Sequence, residues 1–200
     1  GGWAPAVHLH SMAGGKLRWF EEGAMFVPEG RVTGIQSVGT CAGAFDADLA
    51  LEHAAAVGRG GLSPAPVGGT GRVSANTLLP DPPGRRKGKV FVDLQNDVTA
   101  DDVALAAREN YRSVEHLKRY TTMGMATDQG KTSNVNALVL MGEATGRSPA
   151  QVGTTKFRPP FKPVTLGALT GGRSGARYSP LKRLPGQAWH DGQGALWEEF

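Results

Sequence analysis

The sequence predicts a mixed chain, α/β in its first part and mostly helical in its middle, and three observations carry that prediction. A β-branched run, RVTGIQSVGT, stops at a glycine-bounded turn, and an Ala-rich helical pattern follows it. A stretch rich in Pro and Gly, residues 62–88, then breaks all periodicity and reads as a linker or strap between domains. From Lys89 a short apolar strand leads into capped helical patterns that continue to Gly153. With 29 Gly and 13 Pro in 200 residues, much of the chain must be loop, and a plain helical bundle is excluded.

In chain order, AVHLHS alternates like a short strand, which would set His8 and His10 on one face. Such a pair suits a metal, but no third ligand accompanies it, so structural or surface histidines are the stronger reading. In GAFDADLALEHAAAVG, Phe45, Leu49 and Ala56 share one helical face, Asp46 and Asp48 occupy the first turn, and Gly58 is placed to stop the helix. A strand, then Gly39-Thr40-Cys41-Ala42-Gly43, then a helix is the layout with which many dinucleotide domains end, amides at the helix start facing a pyrophosphate or ribityl chain. The same layout recurs throughout α/β proteins and decides nothing by itself.

The second block opens with the strand VFVDL. Thr99 and Asp102 have capping-box spacing, with Asp in place of the usual Glu or Gln, for a helix to about Asn110. Ser113 caps a second helix carrying Val114 and Leu117. The loop GMATDQGKTSN follows, then a helix from Ser133 to Thr145 stopped by Gly146. Ser148-Pro149-Ala150-Gln151 opens one more short turn. Residues 89–153 therefore read as a small helical domain that leans on neighbours, because so short a chain buries little surface. Residues 154–200 read as a strap entering a further domain, with Phe157, Phe161, Trp189 and Trp197 expected to pack on something else. The chain lacks an initial Met and stops on the approach to a new element, so it reads as an excerpt of a longer protein.

Charge and cysteine content exclude several functions. The net charge is +4, and the basic run Arg85-Arg86-Lys87-Gly88-Lys89 lies among Pro and Gly without interleaved aromatic residues, which favours a solvated linker over a nucleic-acid patch. The lone Cys41 excludes an intrachain disulfide and a cysteine metal site, and suits a reducing, cytoplasmic setting. No apolar run approaches the ~20 residues of a membrane span, and no signal-peptide pattern is present. His53, His116 and His190 stand alone, no nucleophile is paired with a base, and no catalytic constellation or metal site is expected. The strongest site candidate is DQGKTSN: a glycine, a lysine and two hydroxyls at a helix start suit an anion. It is not a P-loop, since GxxxxGK[ST] requires glycine where Met125 stands. An ordinary helix cap with a surface lysine explains the same residues equally well.

Three runs carry a family resemblance: GGWAPAVHLHSMAGGKLRW, the long FVDLQNDVTADDVALAARENYRSVEHLKRYTTMGMATDQGKTSNVNAL, and GTTKFRPPFKPVTLGAL. Together they resemble the alpha subunits of heterotetrameric sarcosine oxidases over nearly the whole chain. Departures are TTKFRPPFKP, where a variant of TTTFRPPYTP is usual, and the unmatched segment 62–88. The resemblance implies that residues 1–61 are the C-terminal part of a Rossmann-like dinucleotide domain that binds NAD, with Gly39 and Thr40 as its contacts. Residues 154–200 would enter an aminomethyltransferase-like domain. Residues 89–153 further resemble the two-iron cluster domain of bacterioferritin-associated ferredoxins, in which CxCEEVT precedes KRxTRxGMGxCQGxxC. The matching frame is VDLQNDVT and KRYTTMGMATDQGKTS, which puts Asp93, Gln95, Asp128 and Ser133 at the cysteine positions, so no iron–sulfur cluster is expected.

The resembled complex demethylates sarcosine oxidatively, with FAD and a covalently attached FMN on the beta subunit, peroxide as a product and tetrahydrofolate as the one-carbon acceptor. The resemblance implies beta, gamma and delta subunits as partners. It also places FMN at the alpha–beta interface, where Lys131, Thr132, Ser133 and Asn134 would face it. A related amine or opine dehydrogenase subunit, or a purely structural interface module, are the alternatives.

Overall fold

The computed structural model describes residues 4–61, 88–177 and 180–198, so most of the Pro/Gly stretch and Arg85, Arg86 and Lys87 lie outside the described residues. The chain divides into two compact units, Gly1–Pro163 and Val164–Phe200.

The first unit opens with a short helix α1 (His8–Met12) and an antiparallel hairpin, β1 (Lys16–Phe20) and β2 (Met25–Glu29), with Lys16 opposite Glu29 and Phe20 opposite Met25. Residues 6–11, expected as a strand, are therefore mostly helical. One helical turn satisfies their alternation differently: His10 turns inward at 3% exposure, while His8 stacks on Phe161 with ring centroids 4.3 Å apart. His10 Nε2 bonds the Lys16 carbonyl at 3.1 Å, which makes it the donor and leaves Nδ1 to accept from Ser37 Oγ at 3.5 Å. The two histidines do not share a face, and both ring nitrogens of His10 are taken up by the Lys16 carbonyl and the Ser37 hydroxyl.

The run RVTGIQSVGT is not a strand either. It forms only an isolated bridge between Val32 and Ile35, then a 3-10 turn over Gly39–Ala42. β-Branched residues favour a ladder only where a partner strand is present, and none pairs with this run among the described residues. Helix α2 (Ala47–Gly58) follows, capped by Asp46, whose Oδ1 accepts from Leu49 N at 3.0 Å. Its inward residue is His53, with Leu49 and Val57 half-buried at four-residue spacing; Ala56, expected on that face, is exposed.

The helical block begins with a second hairpin, β3 (Phe91–Asp93) and β4 (Val98–Thr99), so the strand read from VFVDL has a short partner. Helix α3 (Ala100–Arg108) starts at a complete capping box: Asp102 N donates to Thr99 Oγ1 at 3.3 Å, and Thr99 N donates to Asp102 Oδ2 at 2.8 Å. Helices α4 (Val114–Thr121), α5 (Asn134–Thr145) and α6 (Pro149–Val152) complete it, and Ser148 and Gln151 form a second capping box. Helix α5 is the central element, buried at every residue from Ala137 to Gly142. Leu117, Met123, Leu138 and Met141 form the middle of the core, and Phe26 of the first hairpin belongs to the same cluster. Burying each such side chain contributes about 1.5–3 kcal/mol.

In the second unit, helices α7 (Leu166–Thr170) and α8 (Gln187–Gly192) have no buried residue. Trp189 and Trp197 are mainly exposed, and the Trp197 indole donates to Asp191 Oδ1 at 2.5 Å. Among the described residues no helix is long and apolar enough to cross a membrane.

Candidate functional site

The loop between α4 and α5 is organised by a carboxylate that enters from β3. Asp93 is 2% exposed; its Oδ1 accepts from the amides of Gln95 at 2.9 Å and Asn96 at 3.1 Å. Its Oδ2 accepts from Gly124 N at 2.7 Å and lies 3.4 Å from the buried Ser133 hydroxyl. Gln95 Oε1 accepts from Asp128 N at 3.2 Å and from the Thr127 hydroxyl at 3.3 Å. Asp93, Gln95, Asp128 and Ser133 are thus brought together as two hydrogen-bonded pairs, 93 with 133 and 95 with 128. Among the described residues, no three His, Cys, Asp or Glu side chains gather where a metal ion could sit.

Asp128 repeats the pattern within the loop. Its Oδ1 accepts from Gly130 N at 2.9 Å, and its Oδ2 accepts from the Thr132 hydroxyl at 2.6 Å and amide at 3.2 Å. Partial burial pushes this carboxyl up, but the Thr132 hydroxyl, the Gly130 and Thr132 amides and the Lys131 charge together hold it below the usual range. Nothing in the local spacing marks the amides near the α5 start as partners of a loop carboxylate.

The four residues singled out at the helix start have different surroundings. Ser133 and Asn134 are buried, whereas Lys131 and Thr132 are exposed. Asn134 Nδ2 donates to Thr155 Oγ1 at 3.0 Å, while its Oδ1 has no hydrogen-bond partner and faces the backbone of Gly124 and Gly130. Both glycines have left-handed φ, +70° and +74°, and a Cβ on either would collide with the Asn134 amide, so the loop is glycine-dependent twice over. Lys131 Nζ donates to the carbonyls of Asp128 at 3.0 Å and Phe161 at 2.5 Å, and it sits 4.0 Å from the centre of the Phe161 ring. On Phe161 also stacks His8, whose imidazole is shifted down by burial and by the charges of Lys162 and Lys131.

Sequence reasoning missed Thr155 and the role of Phe161. The signal for Phe161 was an aromatic side chain in a proline-bounded segment; nothing marked Thr155. Gly39 and Thr40 lie in the 3-10 turn before α2, where their carbonyls accept from Ala44 N and Gly43 N, both at 3.1 Å. Gly39 has φ +60°, and a Cβ there would meet only the Ala50 methyl at 3.8 Å, so the turn lies close against α2.

The chain is similar to known proteins along its whole length. The Sarcosine oxidase A3 domain family matches residues 87–173, the part that contains the Asp93 network and the whole loop. Sarcosine oxidase subunit alpha of Rhizobium meliloti (strain 1021) is 43% identical over 210 residues, which takes in 100% of this chain and 21% of the relative. The chain is homologous to sarcosine oxidase alpha subunits. Subunit alpha from Corynebacterium sp. (strain P-1) is 38% identical over 214 residues, covering 100% of this chain and 22% of its own length. The chain therefore spans about a fifth of the length of the curated relatives it matches. Among solved structures, "Crystal structure of L-proline dehydrogenase from P.horikoshii" superposes with a TM-score of 0.56 at 20% identity, over 83% of this chain and 37% of that one. At that identity the likeness shows a shared mixed α/β fold.

Proposed function

We propose that this chain is a segment of the alpha subunit of a heterotetrameric sarcosine oxidase, a complex that converts sarcosine to glycine while reducing oxygen to peroxide and passing a one-carbon unit to tetrahydrofolate. The observation that carries the reading is homology to sarcosine oxidase alpha subunits along the whole chain at 37–43% identity. In this reading residues 1–61 end an NAD-binding domain, with Gly39 and Thr40 at its dinucleotide. The segment 62–88 links them to residues 89–153, a two-iron-cluster-like domain without its cysteines, and 154–200 enter an aminomethyltransferase-like domain. The beta subunit, with its FAD and the shared FMN, and the gamma and delta subunits are the partners, in the cytoplasm.

The loop fits the rim of a flavin better than an anion. Lys131 and Thr132 are exposed and form its outer edge, and Ser133 and Asn134 support that edge from inside. The Thr132 amide and hydroxyl already bond Asp128, and Lys131 Nζ already bonds two carbonyls. The chain itself positions and shields; a bound FMN would supply the redox chemistry. A purely structural interface role is the second reading, favoured by this same self-satisfaction of the loop.

The test is co-expression of the full-length subunit with its partner subunits, followed by flavin and iron analysis of the purified complex. Flavin, part of it covalent, with no iron in this subunit supports the proposal; iron in the subunit, or no flavoprotein partner, overturns it. A Lys131→Ala/Thr132→Ala double variant separates the two readings. Lost flavin in an intact assembly supports the rim, whereas full flavin occupancy leaves a scaffold.

A further inference from the structure

Beside the loop, α4 and the segment after Gly153 enclose a cleft of about 230 Å³ in which Lys118, Arg119 and Arg158 converge with Glu115, Met125 and Gln129. The single carboxylate in this lining is fully engaged. Glu115 Oε2 accepts from Arg119 Nη1 at 3.1 Å, and Oε1 accepts from the Lys156 amide at 2.6 Å. Among the described residues, neither Lys118 nor Arg158 lies within ion-pair distance of a carboxylate. The lining therefore carries three cations against one carboxylate, and Lys118 and Arg158 share the cleft without a close ion-pair partner among the described residues.

That arrangement has a cost visible in Lys118. Its ammonium is pushed below the ordinary lysine value by burial, and the Arg158 and Arg119 charges add to this against the opposing pull of Glu115. An anion in the cleft would screen the like charges and favour the charged ammonium against its burial. Its size and charge follow from the lining. A volume of about 230 Å³ is below the roughly 300–1,000 Å³ of sites that enclose whole drug-sized ligands, so the cleft suits the charged end of a larger molecule. Two unpaired cations match the charge of roughly −1.5 to −2 on a phosphate monoester at neutral pH. Arg158 supplies the planar fork that binds two phosphate oxygens at once, and Lys118 the compact second charge. Met125, 52% exposed at the edge, offers apolar surface to the rest of the ligand.

We propose that this cleft is a phosphate-monoester site, with Arg158 and Lys118 as its anion-binding groups. It shares Met125 and Gln129 with the loop but takes its anion-binding groups from outside it, and so explains how that loop can border a phosphorylated ligand although its own donors are taken. The phosphate of a bound flavin and a free phosphate are both possible sources; the first rests on the reading proposed above.

Calorimetric titration of the full chain at low salt tests the site, with inorganic phosphate, riboflavin and riboflavin 5′-phosphate as probes. Inorganic phosphate should bind saturably, and Arg158→Gln or Lys118→Gln should each weaken it roughly ten-fold, a loss of about 1.4 kcal/mol. Arg158→Lys should fall between, since it keeps the charge and loses the fork. Lys131→Ala should change the affinity less than about two-fold, because the site is a set of unpaired cations and Lys131 is engaged elsewhere. Circular dichroism should be unchanged in all four, as these side chains are exposed or half-exposed. Absence of saturable phosphate binding, or equal weakening by Lys131→Ala, overturns the proposal. Tighter binding of riboflavin 5′-phosphate than of phosphate, with riboflavin inert, assigns the site to the flavin. Equal binding of the two phosphates keeps the cleft and removes its link to the flavin reading.

Discussion

Helices α3 and α5 lie packed together, yet they begin in opposite ways. The α3 start is closed by Thr99 and Asp102, three residues apart, each serving the other's backbone amide. The α5 start has no such cap: Ser133 stands at the cap position without a side-chain bond to the helix, and its hydroxyl points back to Asp93. Two donors before α5, the Gly124 amide and the Ser133 hydroxyl, are gathered by Asp93, 31 residues upstream of Gly124 and 40 upstream of Ser133. A local cap fixes one helix end; a buried carboxylate fixes two hairpin amides, a loop amide and a hydroxyl together, so its loss must propagate further.

Substitution should show this contrast directly. Asp93→Ala leaves two buried donors, the Gly124 amide and the Ser133 hydroxyl, and two partly buried amides without their acceptor, and should cost about 3 kcal/mol, a fall in Tm of roughly 6–12 °C for a chain of this size by thermal unfolding. Gly130→Ala forces a left-handed backbone and a collision with the Asn134 amide, and should cost about 2 kcal/mol in the same measurement. Thr99→Ala removes one cap and should cost about 1 kcal/mol. If Thr99→Ala proved as damaging as Asp93→Ala, the distinction between local and long-range closure would collapse.

The smallest effect is a pH dependence. The Asp128 carboxyl is held below its ordinary value when folded, so the unfolded chain binds the proton more readily. Its stabilising contribution is present above about pH 4 and is lost as pH falls through the depressed folded value. Asp102 has the same sign, from the Thr99 hydroxyl and amide bonds first, opposed by slight burial and aided by Lys89. An Asp128→Asn variant should flatten the acid limb of a stability-against-pH curve by a small amount, because Asp128 is only partly buried.

What was legible in the sequence tracks the same difference. Thr99 with Asp102, Ser148 with Gln151, and Gly146 after the α5 pattern are signals contained within a few residues, and the elements they bound are found where expected. The first hairpin was also local and was overlooked: Leu17 and Trp19 alternate with Lys16 and Arg18, and Glu21 to Ala24 make the turn. AVHLHS misled because a stretch this short does not separate the two periods: the buried pair is Val7 and His10, three apart as in a helix, where a strand would bury alternate residues. The approach of Asp93 to Ser133 and of Gln95 to Asp128 could not be read from local spacing. Only the cluster-domain frame put those four positions in one set, and packing determined that they pair by hydrogen bonds.

Phe26 carries a last consequence. It projects from the first hairpin into the cluster formed by Leu117, Leu138 and Met141, with Trp19 edge-on against it at 5.2 Å. The hairpin and the helices therefore cannot lose their structure separately without exposing the same apolar surface, and they form one cooperative unit. Amide protons of Val27 and Leu138 should exchange with a common opening free energy, and truncating Phe26 to Ala should speed both together.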